Sequence, residues 1–219
     1  MEQTRERERY DRQHDPARVL ALSDGVFAIV ITLLVLEIHV PELTGGQSLR
    51  EALREVRPSF VGFLISFVVT AIAWAGHRDQ FALIRRTDRT LVWLNILYLF
   101  PLTLLPFGAA LISRYDQEPA GLRLYGLLLV LIALTRLIMW SYATNRPHLL
   151  YEPISRRTKT VGVLIVAVPA AFYLLAILIA ESAPVASLVI YAGVPVVYFI
   201  AIFVDRSTAP PGAVEDDFT

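Results

Sequence analysis

Apolar residues run along this chain in long unbroken windows rather than in strict alternation, and six windows stand out: 19–40, 60–76, 91–113, 122–142, 161–180 and 183–204. At about 1.5 Å per residue, each falls within the range of roughly 17–25 residues with which a helix crosses the hydrocarbon layer, 60–76 at its lower end. The pattern predicts an all-α integral membrane protein with six transmembrane helices. The first window is too long for the apolar region of a cleaved leader, and no small-residue cleavage site follows it. Between the first two windows, PELTGGQSLREALREVRP reads as a Gly-Gly turn followed by a short charged amphipathic helix that ends before Pro58. The first 17 residues form a charged arm in which acids and bases alternate, with Pro16 as a break, and 205–219 form a Pro-rich tail read as disordered. One six-helix domain, 18–204, lies between them.

Composition agrees with the bilayer as solvent. Of 219 residues, 55% are hydrophobic and 18% charged, and mean hydropathy is +0.54. Twenty basic against twenty acidic residues give no bulk attraction to nucleic acid. The absence of cysteine excludes disulfides and thiolate chemistry. Charge placement says more than the sum. Arg78, Arg85, Arg86, Arg89, Arg146, Arg156, Arg157, Lys159 and Arg206 join the five arginines of the N-terminal segment on one side, whereas Arg50, Arg54, Arg57, Arg114 and Arg123 alone occupy the other. Positive residues are retained on the cytoplasmic side, so both termini are expected there, with the protein multi-pass in a plasma membrane. Arg136, inside the fourth window, reads as a snorkelling side chain, with a functional ion pair as the alternative.

The first window, RVLALSDGVFAIVITLLVLEIHV, carries Ser23 and Asp24 at or just under membrane depth. An ionisable residue there is expected to face protein or water and to have a partner, although a simple helix cap is the alternative. At about 100° per residue, Ile29, Leu33 and Leu36 share one bulky face, while Ser23 and Asp24 point well away from it. His14, His39 and His148 show no metal-ligand spacing, and no metal site is expected. No HExxH, Walker A, GxSxG or Rossmann glycine pattern is present. An enzyme is not expected.

Three fragments carry a family resemblance: the first window, WAGHRDQF from Trp74, and LVWLNILYLFPLTLLPF from Leu91. Together they resemble the transmembrane protein 175 family, the endosomal and lysosomal potassium channels with their prokaryotic relatives. The family signature of an Arg, three residues, then Phe-Ser-Asp falls on Arg18, Leu22, Ser23 and Asp24, with Leu22 in place of the Phe. Thr32, Leu33 and Leu34 match the Thr-Leu-Leu of prokaryotic members. Trp74, His77, Asn95, Pro106 and Phe107 match the second and third spans.

The resemblance implies a potassium-permeable cation channel of a prokaryote with no TVGYG filter and no cofactor. It implies a homotetramer in which the first helix of each copy lines a central pore. Ile29, Leu33 and Leu36 would then form a hydrophobic constriction that blocks ions by dewetting. Thr32 is a candidate for selectivity, against a hydroxyl bonded back to its own helix. Glu37 is either a charge at the outer mouth or a solvated interfacial carboxylate. Ser23, Asp24, Trp74, His77 and Asn95 are expected in one polar network behind the pore, and Arg18 sits at the inner mouth or snorkels to lipid. The rival reading is a proton-coupled or solute transporter that uses Asp24 and His77 as a protonatable site. Expected partners are a second copy of the chain, membrane lipid and potassium ions, and no nucleic acid.

Overall fold

The computed structural model describes residues 15–43 and 45–207. Apart from 15–17 and 205–207, the charged arm and the tail lie outside the described residues. The described residues form eight α-helices in chain order: α1 Pro16–Leu34, α2 Leu49–Glu55, α3 Arg57–Phe81, α4 Arg89–Thr103, α5 Leu105–Arg114, α6 Pro119–Thr144, α7 Arg156–Ile179 and α8 Pro184–Ser207. Five spans are long and apolar enough to cross a membrane by length and composition, with α4 and α5 together making one of them, and a shorter apolar helix occupies Pro184–Tyr198 within α8. The fold is all-helical among the described residues, apart from one isolated bridge between Ile84 and Leu150.

Local chemistry sets the helix ends. Asp15 caps α1 by accepting from the Ala17 amide at 2.9 Å, with Pro16 in the first turn where its missing N–H costs nothing. The sequence expectation carried helix through Val40, but the α-helix stops at Leu34 and tightens into a 3-10 turn over Val35–Glu37. Leu36 and Glu37 therefore sit at a steeper rotation per residue than an α-helical wheel assigns them. The short amphipathic helix between the first two spans is α2, started by a capping box. The Ser48 amide donates to Glu51 Oε2 at 2.9 Å, and the Glu51 amide donates to Ser48 Oγ at 3.3 Å. The third window breaks into α4 and α5 around Leu104. Pro106 has no N–H to offer the Leu102 carbonyl, and its ring would strike that carbonyl in a continuous helix.

The core is the seam where α3, α4, α5 and α6 meet, filled by large side chains such as Tyr98, Tyr125, Phe81 and Leu102. Two polar pairs lie within it: Ser66 Oγ is 3.0 Å from the Tyr125 hydroxyl, and the Tyr191 hydroxyl donates to the Leu122 carbonyl at 3.0 Å. Gly126 lets Tyr191 reach that carbonyl, because a Cβ at 126 would overlap the phenol. At one end of the bundle the α3–α4 and α6–α7 loops are clasped. The Arg85 amide donates to the Leu149 carbonyl at 2.8 Å, the Tyr151 amide to the Leu83 carbonyl at 3.2 Å, and the Tyr142 hydroxyl to Asp88 Oδ2 at 2.7 Å.

α1 packs on α3, α4 and α5 with one stripe only: Val19, Ser23, Phe27, Val30 and Leu34. Spacings of three and four keep these residues on one side of the helix. The remaining side is bare in the single chain.

Candidate functional site: the two faces of the first helix

The buried stripe of α1 holds a directed chain of hydrogen bonds. Asn95 Nδ2 donates to Ser23 Oγ at 3.0 Å, and Ser23 Oγ donates to the Val19 carbonyl of its own helix at 2.8 Å. Asn95 Oδ1, the acceptor end of the same amide, lies 2.7 Å from His77 Nε2. A carbonyl oxygen accepts only, so the proton of the imidazole belongs on Nε2 and Nδ1 is bare. Ser23, His77 and Asn95 are all fully buried. Three helices, α1, α3 and α4, are thereby tied at one level.

Aromatic rings box the imidazole. Phe81 stacks on His77 at 4.4 Å between centroids and Tyr98 lies parallel at 5.8 Å, while Phe27 of α1 approaches at 5.7 Å. The Tyr98 hydroxyl donates to the Ala73 carbonyl at 3.2 Å, which holds the ring in place. His77 Nδ1 has no partner among the described residues, and neither amide atom of the buried Gln80 has one. The box was not anticipated. Its signal was nevertheless present, since Phe27 follows Ser23 and Phe81 follows His77 by four residues, one turn on the same face.

Asp24 stands apart from this chain. It is exposed, and its Oδ1 accepts from Trp74 Nε1 at 2.9 Å. The Trp74 ring also carries the Arg78 guanidinium at 5.6 Å, and Arg78 in turn pairs with Asp79 at 3.0 Å. The expected single network is thus two: a buried one through Ser23, Asn95 and His77, and a peripheral one through Asp24 and Trp74. Adjacent residues on a helix differ by about 100°, so Ser23 and Asp24 cannot both face the same pocket.

The other face of α1 points away from the bundle. Ile29 is 59% exposed, Leu33 42% and Leu36 66%, and Leu22 is also exposed. Thr32 lies beside them, its hydroxyl donating to the Ala28 and Ile29 carbonyls at 3.1 and 2.9 Å, which leaves only its lone pairs for anything outside. Glu37 is half-buried in the 3-10 turn, with His39 Nδ1 3.2 Å from its backbone carbonyl. Arg18 is exposed and forms no ion pair among the described residues. Among the described residues no cluster of His, Asp and Glu could hold a metal ion. Arg136, read as snorkelling or ion-paired, is half-buried with its guanidinium against Gly76 of α3, where any Cβ would overlap it.

A bundle of apolar spans tied together by buried hydrogen bonds, with a branched aliphatic face exposed on its first helix, is an integral membrane protein. The model of the family described as endosomal/lysosomal potassium channel TMEM175 matches residues 18–106. The chain is 37% identical over 144 residues to a potassium channel of Streptomyces collinus, covering 64% of this chain and 69% of that one. It is 27% identical over 140 residues to the human endosomal/lysosomal proton channel TMEM175, of which it spans 28%. A crystal structure of a lysosomal potassium-selective channel TMEM175 homolog from Chamaesiphon minutus superimposes with a TM-score of 0.74 at 30% identity, over 88% of this chain and 98% of that one. The chain belongs to the TMEM175 family, whose members are ion channels and not enzymes.

Proposed function

We propose that this protein is a potassium-permeable cation channel of a prokaryotic plasma membrane, assembled as a homotetramer around the first helix of each copy. The reading rests above all on one observation: Ile29, Leu33 and Leu36 are exposed on a helix whose opposite stripe is pinned by buried hydrogen bonds. Four such faces meeting at an axis would form rings of branched aliphatic side chains. A narrow apolar ring sheds water and stops ions without a charged plug. Thr32, between those rings, offers oxygen lone pairs to a partly dehydrated cation, and Glu37 would raise cation concentration at the outer mouth. Arg18 would stand at the inner mouth, with both termini cytoplasmic. No cofactor enters this reading.

The rival reading of a proton-coupled transporter needs Asp24 and His77 to share a protonatable site. Their separation into two networks speaks against it. Purified protein in planar bilayers under opposed potassium and sodium gradients tests the proposal. Currents that reverse near the potassium equilibrium potential support it. Reversal that follows a pH gradient alone, or saturable flux far below channel rates, contradicts it.

A further inference from the structure

Between α3, α4, α6, α7 and α8 lies an apolar groove, open along one side, that encloses a cavity of about 80 Å3. Its wall runs from Leu129 to Arg136 on α6 and from Ile165 to Tyr173 on α7. At about 1.5 Å per residue it therefore extends roughly 10–12 Å along the helix axes. A single cation marks one end of it. The Arg136 guanidinium is half-buried against Gly76 and makes no hydrogen bond or ion pair with another described residue. Asp79, one turn beyond Gly76 on α3, is already held by Arg78. Tyr198 lines the cavity near that end. Tyr173, only 8% exposed, lines the other, and neither hydroxyl has a hydrogen-bond partner among the described residues.

A guanidinium at membrane depth is costly until an anion reaches it, and the apolar wall beyond it is unsuited to water. The pair of demands, an acid at one end and hydrocarbon along the rest, matches an acidic lipid with a chain attached. Depth selects the kind of lipid. Gly76 lies five residues, about 7.5 Å, from the end of α3 at Phe81. A headgroup phosphate needs only a small inward displacement to meet a guanidinium there, and basic pockets between transmembrane helices take acidic headgroups in this way. From that point the cavity leads toward the middle of the spans, the direction an acyl chain follows.

We propose that this cavity is a binding site for an anionic phospholipid of the leaflet nearest the α3–α4 loop, its phosphate on Arg136 with the Tyr198 hydroxyl beside it and one acyl chain lying toward Tyr173. The test is native mass spectrometry of the purified protein equilibrated with equal amounts of phosphatidylglycerol and phosphatidylcholine. The wild type should retain phosphatidylglycerol about tenfold over phosphatidylcholine, whose phosphate is the same but whose choline cation would sit beside the guanidinium with like charge. Arg136→Gln should abolish that preference, Arg136→Lys should keep part of it, and Gly76→Ala should reduce it by displacing the guanidinium. Ala133→Phe, which fills the apolar wall and leaves Arg136 in place, should lower total lipid retention and gives the answer should Arg136→Gln fail to fold. Equal retention of the two lipids by the wild type overturns the proposal. So does an undiminished preference in folded Arg136→Gln, unchanged retention in Ala133→Phe, or displacement of the phospholipid by oleate at equal concentration.

Discussion

α1 and α7 are the two spans least covered by their own chain, with 28% and 17% of their apolar windows buried, yet they are held in different ways. α7 rests on apolar contacts through Val166, Tyr173 and Ala176, with Gly162 laid against the Trp140 ring. Its hydrogen bonds to neighbouring helices end on backbone carbonyls near its two ends, from Trp140 Nε1 to Lys159 at 3.3 Å and from Ser187 Oγ to Ala176 at 2.7 Å, and among the described residues none is made by a side chain of its own in the middle of the span. α1 is fixed in azimuth, because turning it would pull Ser23 from Asn95 and leave polar groups unpaired in a low-dielectric interior. Exposure alone therefore does not single out a helix for a partner. An apolar face held at a fixed angle does, and lipid, which adapts to any face, has no need of such fixing.

The strongest way to break this contrast is to make each exposed face polar in turn. Ile29→Asn should raise basal leak in planar bilayers by about tenfold, equivalent to about 1.4 kcal/mol off the barrier, whereas Leu178→Asn on the exposed face of α7 should leave conductance unchanged. Equal effects would dissolve the distinction. Next in size is the pinning itself. Asn95→Ala strands the His77 N–H and a Ser23 lone pair in a buried site, and should lower unfolding stability by about 2 kcal/mol in detergent; an unchanged unfolding midpoint would remove the buried chain as the anchor of α1.

Asp24 gives a finer test. Asp24→Asn keeps an oxygen for Trp74 Nε1 and should impair assembly or gating less than Asp24→Ala, with ion preference altered in neither. A shifted reversal potential would instead place Asp24 on the ion path. The smallest effect concerns α2. Hydrogen bonds from Ser48 hold the exposed Glu51 carboxyl below its ordinary value of 4.5. A depressed folded value means that the cap is fully effective above the ordinary range and fades as pH falls through the lowered one. Amide shifts of Glu51 should therefore stay constant on acidification through 4.5 and move only below it, and in Ser48→Ala they should move at the ordinary value.

Span number and placement were legible in the sequence because hydrocarbon thickness imposes a length that hydropathy reads directly. The break at Leu104 was missed, because the apolar window ran through it unbroken, although Pro106 carried the signal. The capping box at Ser48 and Glu51 needed only local spacing. Azimuth and pairing were another matter. Ser23 and Asn95 are 72 residues apart, and nothing in either helix's periodicity says that they meet; their association came from the family signature. For Arg136 the sequence shows depth but not Gly76 across the groove, where a missing side chain leaves room for the guanidinium.

The central claim, that the Ile29 faces of several copies meet, is open to one direct measurement, since the chain contains no cysteine of its own. Ile29→Cys and Leu178→Cys variants are oxidised in the membrane and separated without reductant. Disulfide geometry tolerates Cα separations of only about 4.4–6.8 Å, so cross-linking reports close approach. The account predicts rapid dimer formation through position 29 and none through position 178. Absence of cross-links at 29, or equal cross-linking at both, would contradict it.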